Sequence, residues 1–285
     1  MNRLPTVLVT LALATAACSG SAAPASSVAT SSGTAAPSSV PTSALSPTMN
    51  PLASPVIAGR FAVSDGRQLE IECWGEGSPT VVLEGGHPSA GISDFIGTRF
   101  VRILASETRT CAYSRAGYRA SDPAPNEPRD ADDVIGDLND LLESAAVEGP
   151  YVLVGESFGG MIVTYYAARH PRDVVGVVLL DVPAPSADLS AADIPQIAWD
   201  HPENPEHLDI APEFETRFAN ERLPIEAPIT VITATGGDSD LENQSIWLEV
   251  STNATQVELA GSHEIYLDDP GGSAAEVLKL VDAAR

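Results

Sequence analysis

The chain is 285 residues long, with 44% hydrophobic content, 39 acidic against 15 basic residues and a formal net charge of −24. Lys279 is the single lysine and no basic patch exists, which excludes a nucleic-acid binder and a domain that adsorbs to anionic lipid head groups. The length and apolar content suit one large α/β domain preceded by a tail.

The tail comes first in chain order. Arg3, an apolar stretch from Leu4 to Leu13 and a run of small residues ending at Cys18 have the layout of an export signal. The apolar stretch is too short for a stable bilayer span. Leu13-Ala14-Thr15-Ala16-Ala17-Cys18 resembles a bacterial lipobox, with Thr15 where an aliphatic residue is usual. The resemblance implies cleavage of residues 1–18 before an acylated Cys18 and a membrane-anchored, extracytoplasmic protein. Plain secretion after an Ala-x-Ala site is the alternative. Residues 19–56 are mainly Ser, Ala, Pro, Thr and Gly without periodicity, a composition that predicts a flexible tether.

The folded domain is expected over 57–285. Arg60 to Ser64, the turn Asp65-Gly66, and Gln68 to Trp74 alternate as a β-hairpin does. Continuous β-branched runs follow at Thr80–Leu83, Arg109–Tyr113, Tyr151–Val154, Val174–Leu180, Ile229–Thr233 and Gln256–Leu259, as expected of strands covered on both faces. Helical patterns lie between them at Ile96–Ser106, Ala131–Ala146, Met161–His170 and Ala274–Ala284. This alternation predicts an α/β fold built on a mostly parallel sheet with helices on both faces.

Gly155-Glu156-Ser157-Phe158-Gly159-Gly160 joins the run ending at Val154 to the helix that follows. A strand, a Gly-x-Ser-x-Gly turn and a helix make a nucleophile elbow, which exposes the Ser157 hydroxyl at the positive end of a helix. A serine hydroxyl needs an imidazole to take its proton. His263, in Leu259-Ala260-Gly261-Ser262-His263 directly after the last strand, is the candidate. His201 and His207 belong to a proline-rich stretch that reads as a loop. No P-loop, dinucleotide fingerprint or His-Glu-x-x-His motif occurs, so no metal or other cofactor is expected.

An opening hairpin, alternating strands and helices, and a serine elbow after the fifth strand resemble the α/β-hydrolase fold family from about Arg60 onward. Thr80 to His87 looks like the family's oxyanion-loop strand. Cys111-Ala112-Tyr113-Ser114-Arg115-Ala116-Gly117 is similar to its Tyr-Asp-Arg-x-Gly segment, with Ser114 at the usual aspartate. The resemblance implies an eight-stranded sheet, a small cap insert at about 182–227, and a triad of Ser157, His263 and an acid. Asp238, after the strand Ile229 to Thr233, stands first for the acid; Asp240 and Asp181 are the alternatives. The oxyanion donors implied are the amides of Phe158 and of Gly86 or His87. The family's neighbouring second and fourth strands also imply a Cys73–Cys111 disulfide, suited to an exported chain; two buried thiols are the other reading.

The function implied is an exported serine hydrolase acting on small carboxylic esters through an acyl-enzyme. Amides, lactones, thioesters and perhydrolysis belong to the same chemistry. Epoxide hydrolases and dehalogenases of the family carry aspartate at the elbow. A tethered lipoprotein that binds without turnover is the reading from another class.

Overall fold

The structure, a computed structural model, describes residues 53–88, 91–184, 195–209, 224–236 and 241–285. The signal, most of the tether and Cys18 lie outside these residues, as do Asp238, Asp240 and, in the insert, Ile194, Phe214 and Phe218.

Eight strands form one sheet: β1 (Ile57–Ala62), β2 (Gln68–Trp74), β3 (Thr80–Glu84), β4 (Thr110–Ser114), β5 (Tyr151–Glu156), β6 (Val174–Leu180), β7 (Ile229–Ala234) and β8 (Ala254–Leu259), in the order β1-β2-β4-β3-β5-β6-β7-β8. The β1–β2 and β2–β4 pairs are antiparallel and every later pair is parallel. All residues of β3, β4 and β5 are buried. Their unbroken apolar character therefore marks central strands with both faces covered. The first strand starts before Arg60, because Ile57 pairs with Cys73 and packs on the core. Cys73 and Cys111 oppose each other across β2 and β4 and are joined by a disulfide. It closes a loop of 38 residues, a constraint that stabilises a fold by at most about 4 kcal/mol on chain entropy.

Alternate residues of the strands feed two apolar layers. Leu153, Val177, Leu179 and Val231 meet α3 (Ala131–Ser144) and α4 (Phe158–Arg169). Val152, Val154, Val178, Leu180 and Ile232 meet α2 (Arg99–Glu107) and the last helix. Helix α3 starts with a capping box in which Asp130 accepts from the Asp133 amide and Asp133 accepts from the Asp130 amide. Its buried stripe is Val134, Ile135, Leu138, Leu141 and Leu142. Helix α4 is apolar all round and buried over most of its length, as a helix sunk between sheet and α3 must be.

The expected helix over Ile96–Ser106 is two pieces, α1 (Ile92–Phe95) and α2. Gly97 takes a φ of +75°, a left-handed value that ends the first piece, and the Thr98 hydroxyl accepts from the Val101 amide to begin the second. Ile96, expected in the helix, is consequently exposed in the break. Near the C-terminus, α5 (Leu241–Gln244) and α6 (Ile265–Asp268) are short, and α7 (Pro270–Ala283) starts earlier than Ala274. Pro270 suits the first turn, and the Asp269 carboxylate caps it by accepting from the Gly272 amide.

Candidate active site

The carboxyl ends of β3, β5, β6 and β8 converge on Ser157, the side of a parallel sheet where ligands bind. Ser157 has φ +51° and ψ −126°, a strained conformation for a residue with a side chain. The glycines around it make that turn feasible. A Cβ at Gly155 would sit 2.5 Å from the Gly159 carbonyl oxygen, and one at Gly159 would sit 2.5 Å from the Glu84 carbonyl oxygen. Both obstacles are backbone, so neither can yield. The Ser157 amide donates to the Leu180 carbonyl at 3.0 Å, which fastens the elbow to the end of β6.

His263 lies in the loop between β8 and α6. That loop is pinned by Asp268, whose carboxylate accepts from the Ser262 amide at 2.6 Å. The imidazole Nδ1 stands 2.7 Å from Asp181 Oδ2. A carboxylate accepts only, so Nδ1 carries the proton and Nε2 is left as the basic nitrogen. Asp181 directly follows β6, is fully buried, and accepts further bonds from the Ala234 amide at 3.1 Å and Gln244 Nε2 at 2.9 Å. Burial would raise its carboxyl, but these hydrogen bonds outweigh it and hold Asp181 below the usual carboxylate range. The bond to Asp181 raises His263 against a partial loss of solvent, and Glu156 adds to the rise. The His263 side chain is 44% exposed, which leaves the ring open to a ligand.

Among the described residues Asp181 is thus the carboxylate on His263 Nδ1, whereas Asp238 and Asp240 fall outside them. The local feature of Asp181 in the sequence is its place directly after β6, the strand next to the elbow strand.

Phe158 follows the serine as the first residue of α4. The Gly86 amide does not stand open as an oxyanion donor: it donates to Glu156 Oε2 at 3.0 Å. The reason is the Glu156 side chain, which turns back from the elbow toward the β3 loop and needs an acceptor's partner in a buried site. His87 comes next in that loop, with its ring edge-on to Phe158 and buried under the insert. Its Nε2 is 3.2 Å from the Gln196 carbonyl oxygen and its Nδ1 is 3.5 Å from Glu206 Oε1. The ring therefore faces the insert instead of lining an open mouth.

Beneath this loop lies a buried ionic cluster that the sequence did not announce. Arg115, just past β4, donates to Glu84 Oε1 at 2.5 Å, to Glu206 Oε2 at 2.7 Å and to the carbonyls of Gly85 at 2.7 Å and Gly86 at 3.0 Å. Tyr113 donates its hydroxyl to the second Glu84 oxygen. Burial pushes Glu84 up to about 7. Glu206 is equally buried, yet Arg115 and His87 outweigh burial and hold it at about 2. Glu206 sits in the stretch with His201 and His207 that reads as an exposed loop. There the structure instead buries Ile197, Asn204, Glu206 and Leu208, and pairs Leu208 with Arg129.

A family model described as alpha/beta hydrolase fold matches residues 79–218. A probable transporter, efuK of Hormonema carpetanum, is 35% identical over 108 residues, covering 37% of this chain and 15% of its own. The chain spans less than half the length of such curated relatives. Among solved structures, the epoxide hydrolase CorEH superposes with a TM-score of 0.66 at 15% identity, covering 80% of this chain and 99% of its own. An esterase from Exiguobacterium antarcticum gives 0.61 at 17% identity, covering 79% and 100%.

Proposed function

We propose that this chain, which belongs to the α/β-hydrolase fold family, is a serine hydrolase that cleaves carboxylic esters through an acyl-enzyme. The observation that carries the reading is the 2.7 Å bond from His263 Nδ1 to Asp181, at the same carboxyl end of the sheet as a strained elbow serine. Serine at position 157, where the family's epoxide hydrolases have aspartate, favours acyl transfer over epoxide opening.

In this mechanism Ser157 Oγ attacks the ester carbonyl while His263 Nε2 takes its proton. Asp181 keeps the tautomer and stabilises the imidazolium. The carbonyl oxygen gathers negative charge as the tetrahedral adduct forms, and the backbone amides of Phe158 and His87 are the donors assigned to it, since the Gly86 amide is engaged by Glu156. Collapse breaks the C–O bond, and the imidazolium returns its proton to the departing alcohol. Water, activated by the same nitrogen, then releases the acid and restores the serine.

Steady-state hydrolysis of p-nitrophenyl esters of increasing acyl length tests this. Activity is expected on short chains and should fall by at least about 10³-fold in Ser157→Ala. A fluorophosphonate should label the wild type and not the variant. Equal turnover in the two proteins would refute the reading, and silence toward every ester and the probe would favour the binding lipoprotein.

The proposal extends to location. The export layout of residues 1–18 and the Ser/Ala/Pro-rich composition of 19–56 support a domain tethered outside the cytoplasm through a lipid on Cys18. Mass spectrometry of the mature protein should find a diacylglyceryl-modified Cys18 at its N-terminus; an unmodified N-terminus elsewhere would rule the anchor out.

A further inference from the structure

Glu156 occupies the variable position of the elbow, and none of the steps above uses it. Its carboxylate nevertheless touches two parts of the site at once. Oε2 accepts from the Gly86 amide at 3.0 Å, and Oε1 lies 3.5 Å from His263 Nε2, the nitrogen that must serve Ser157. The ring is therefore bracketed by two carboxylates, Asp181 on Nδ1 and Glu156 on Nε2.

We propose that Glu156 is a positioning residue of the hydrolytic site, whose carboxylate holds the protonated His263 ring from the Nε2 side and so sets the pH at which that ring becomes available as a base. The inference rests on the serine-hydrolase reading. When the ring is protonated, its Nε2 proton faces Glu156 and competes with the geometry needed by the serine. Release moves that proton from Nε2 to Glu156 Oε1 or to water, leaving a neutral imidazole and either a carboxylic acid or an unchanged carboxylate.

The surroundings support such an exchange. Burial raises Glu156 to about 7, opposed by the charge of His263, while Asp94 from α1 and Glu264 ahead of α6 add repulsion. Tyr266 of α6 faces the same group of acids, and its hydroxyl donates to the Asp94 carbonyl at 3.3 Å. The nearby Arg115 guanidinium is engaged by Glu84, Glu206 and two carbonyls. Two ionisable groups 3.5 Å apart titrate as a pair.

Glu156→Gln removes the charge and keeps an oxygen for the Gly86 amide. Loss of an adjacent negative charge makes an imidazolium easier to deprotonate, so the acid limb of kcat/KM should move to lower pH. The fraction of plateau activity retained at pH 6 should rise by about threefold or more. A residue serving only structure would lower activity at every pH and leave the limb in place. A second measurement needs no turnover: in 15N-histidine-labelled Ser157→Ala, the His263 ring, identified by its loss in His263→Gln, should titrate at lower pH once Glu156→Gln is added. Glu156→Ser gives the same comparison if the glutamine variant folds poorly. An unmoved or upward titration of His263 would overturn the inference, whether or not the protein hydrolyses esters. A downward titration in a protein without esterase activity would uphold the carboxylate's hold on the ring while removing the hydrolase reading.

Discussion

Asp181→Asn is expected to lower kcat toward p-nitrophenyl esters by about 10³- to 10⁴-fold while leaving KM within a small factor. An amide can turn its NH₂ toward His263 Nδ1, and the ring then carries its proton on Nε2, where it cannot accept one from serine. The imidazolium formed in the transition state also loses the buried charge that stabilises it. Asp181 accepts from both the Ala234 amide and Gln244 on Oδ1, and an asparagine oxygen at that place preserves both bonds, so the fold should survive. The control is Asp238→Asn and Asp240→Asn, each expected to retain turnover within about threefold because the ring nitrogen is already engaged by Asp181. A large loss at position 238 with little at 181 would transfer the orienting role to Asp238.

The other large effect concerns stability. Arg115→Met should destabilise the domain by about 3–5 kcal/mol, read from urea unfolding at pH 8, because it strands two buried carboxylates without their cation. Glu84 and Glu206 are 1% and 0% exposed, so solvent cannot compensate. The sign of the pH dependence follows. Without the guanidinium, both carboxylates are driven above their unfolded value of 4.5, and a group raised on folding favours the native state only where it is protonated. The deficit should therefore be small near pH 4.5 and grow through and above pH 7. Arg115→Lys should recover only part of the loss, since an ammonium cannot span two carboxylates and two carbonyls in the fork geometry of a guanidinium. Turnover should fall with stability, as the Gly85 and Gly86 carbonyls lose the group that holds their loop. A variant as stable as wild type at pH 8 would mean that the cluster is repacked or hydrated in solution.

The parts of this molecule that follow from local pattern could be read from the chain. Tyr151 to Val154, the glycine-flanked serine and the apolar helix after it form a contiguous unit, and period and turn chemistry disclose such units. The same holds for the central strands, whose burial on both faces is written as unbroken β-branched runs. What stayed hidden depends on pairing across distance. Glu206 is one of several acids in a proline-rich stretch, and only the approach of Arg115, far away in sequence, makes it a buried ion. Glu156 looks like any residue at a variable turn position until the sheet brings Gly86 and His263 to it. The orienting acid was a matter of three aspartates on two strand ends, and spacing alone cannot tell which side chain reaches an imidazole. The split between α1 and α2 turned on Gly97, a small residue whose left-handed φ outweighs an otherwise helical apolar pattern.

The Arg115 cluster has a meaning for how such a domain changes over time. The stretch 195–209 and the loop after β3 are fastened to one guanidinium, so the insert is not an exchangeable part. A donor insert that lacks an acid in the place of Glu206 would leave Arg115 half neutralised beneath the loop after β3. Recombination of inserts between related chains should therefore succeed only when that acid travels with the graft, or when position 115 changes along with it. The insert is tied, through one buried charge, to the sheet it covers.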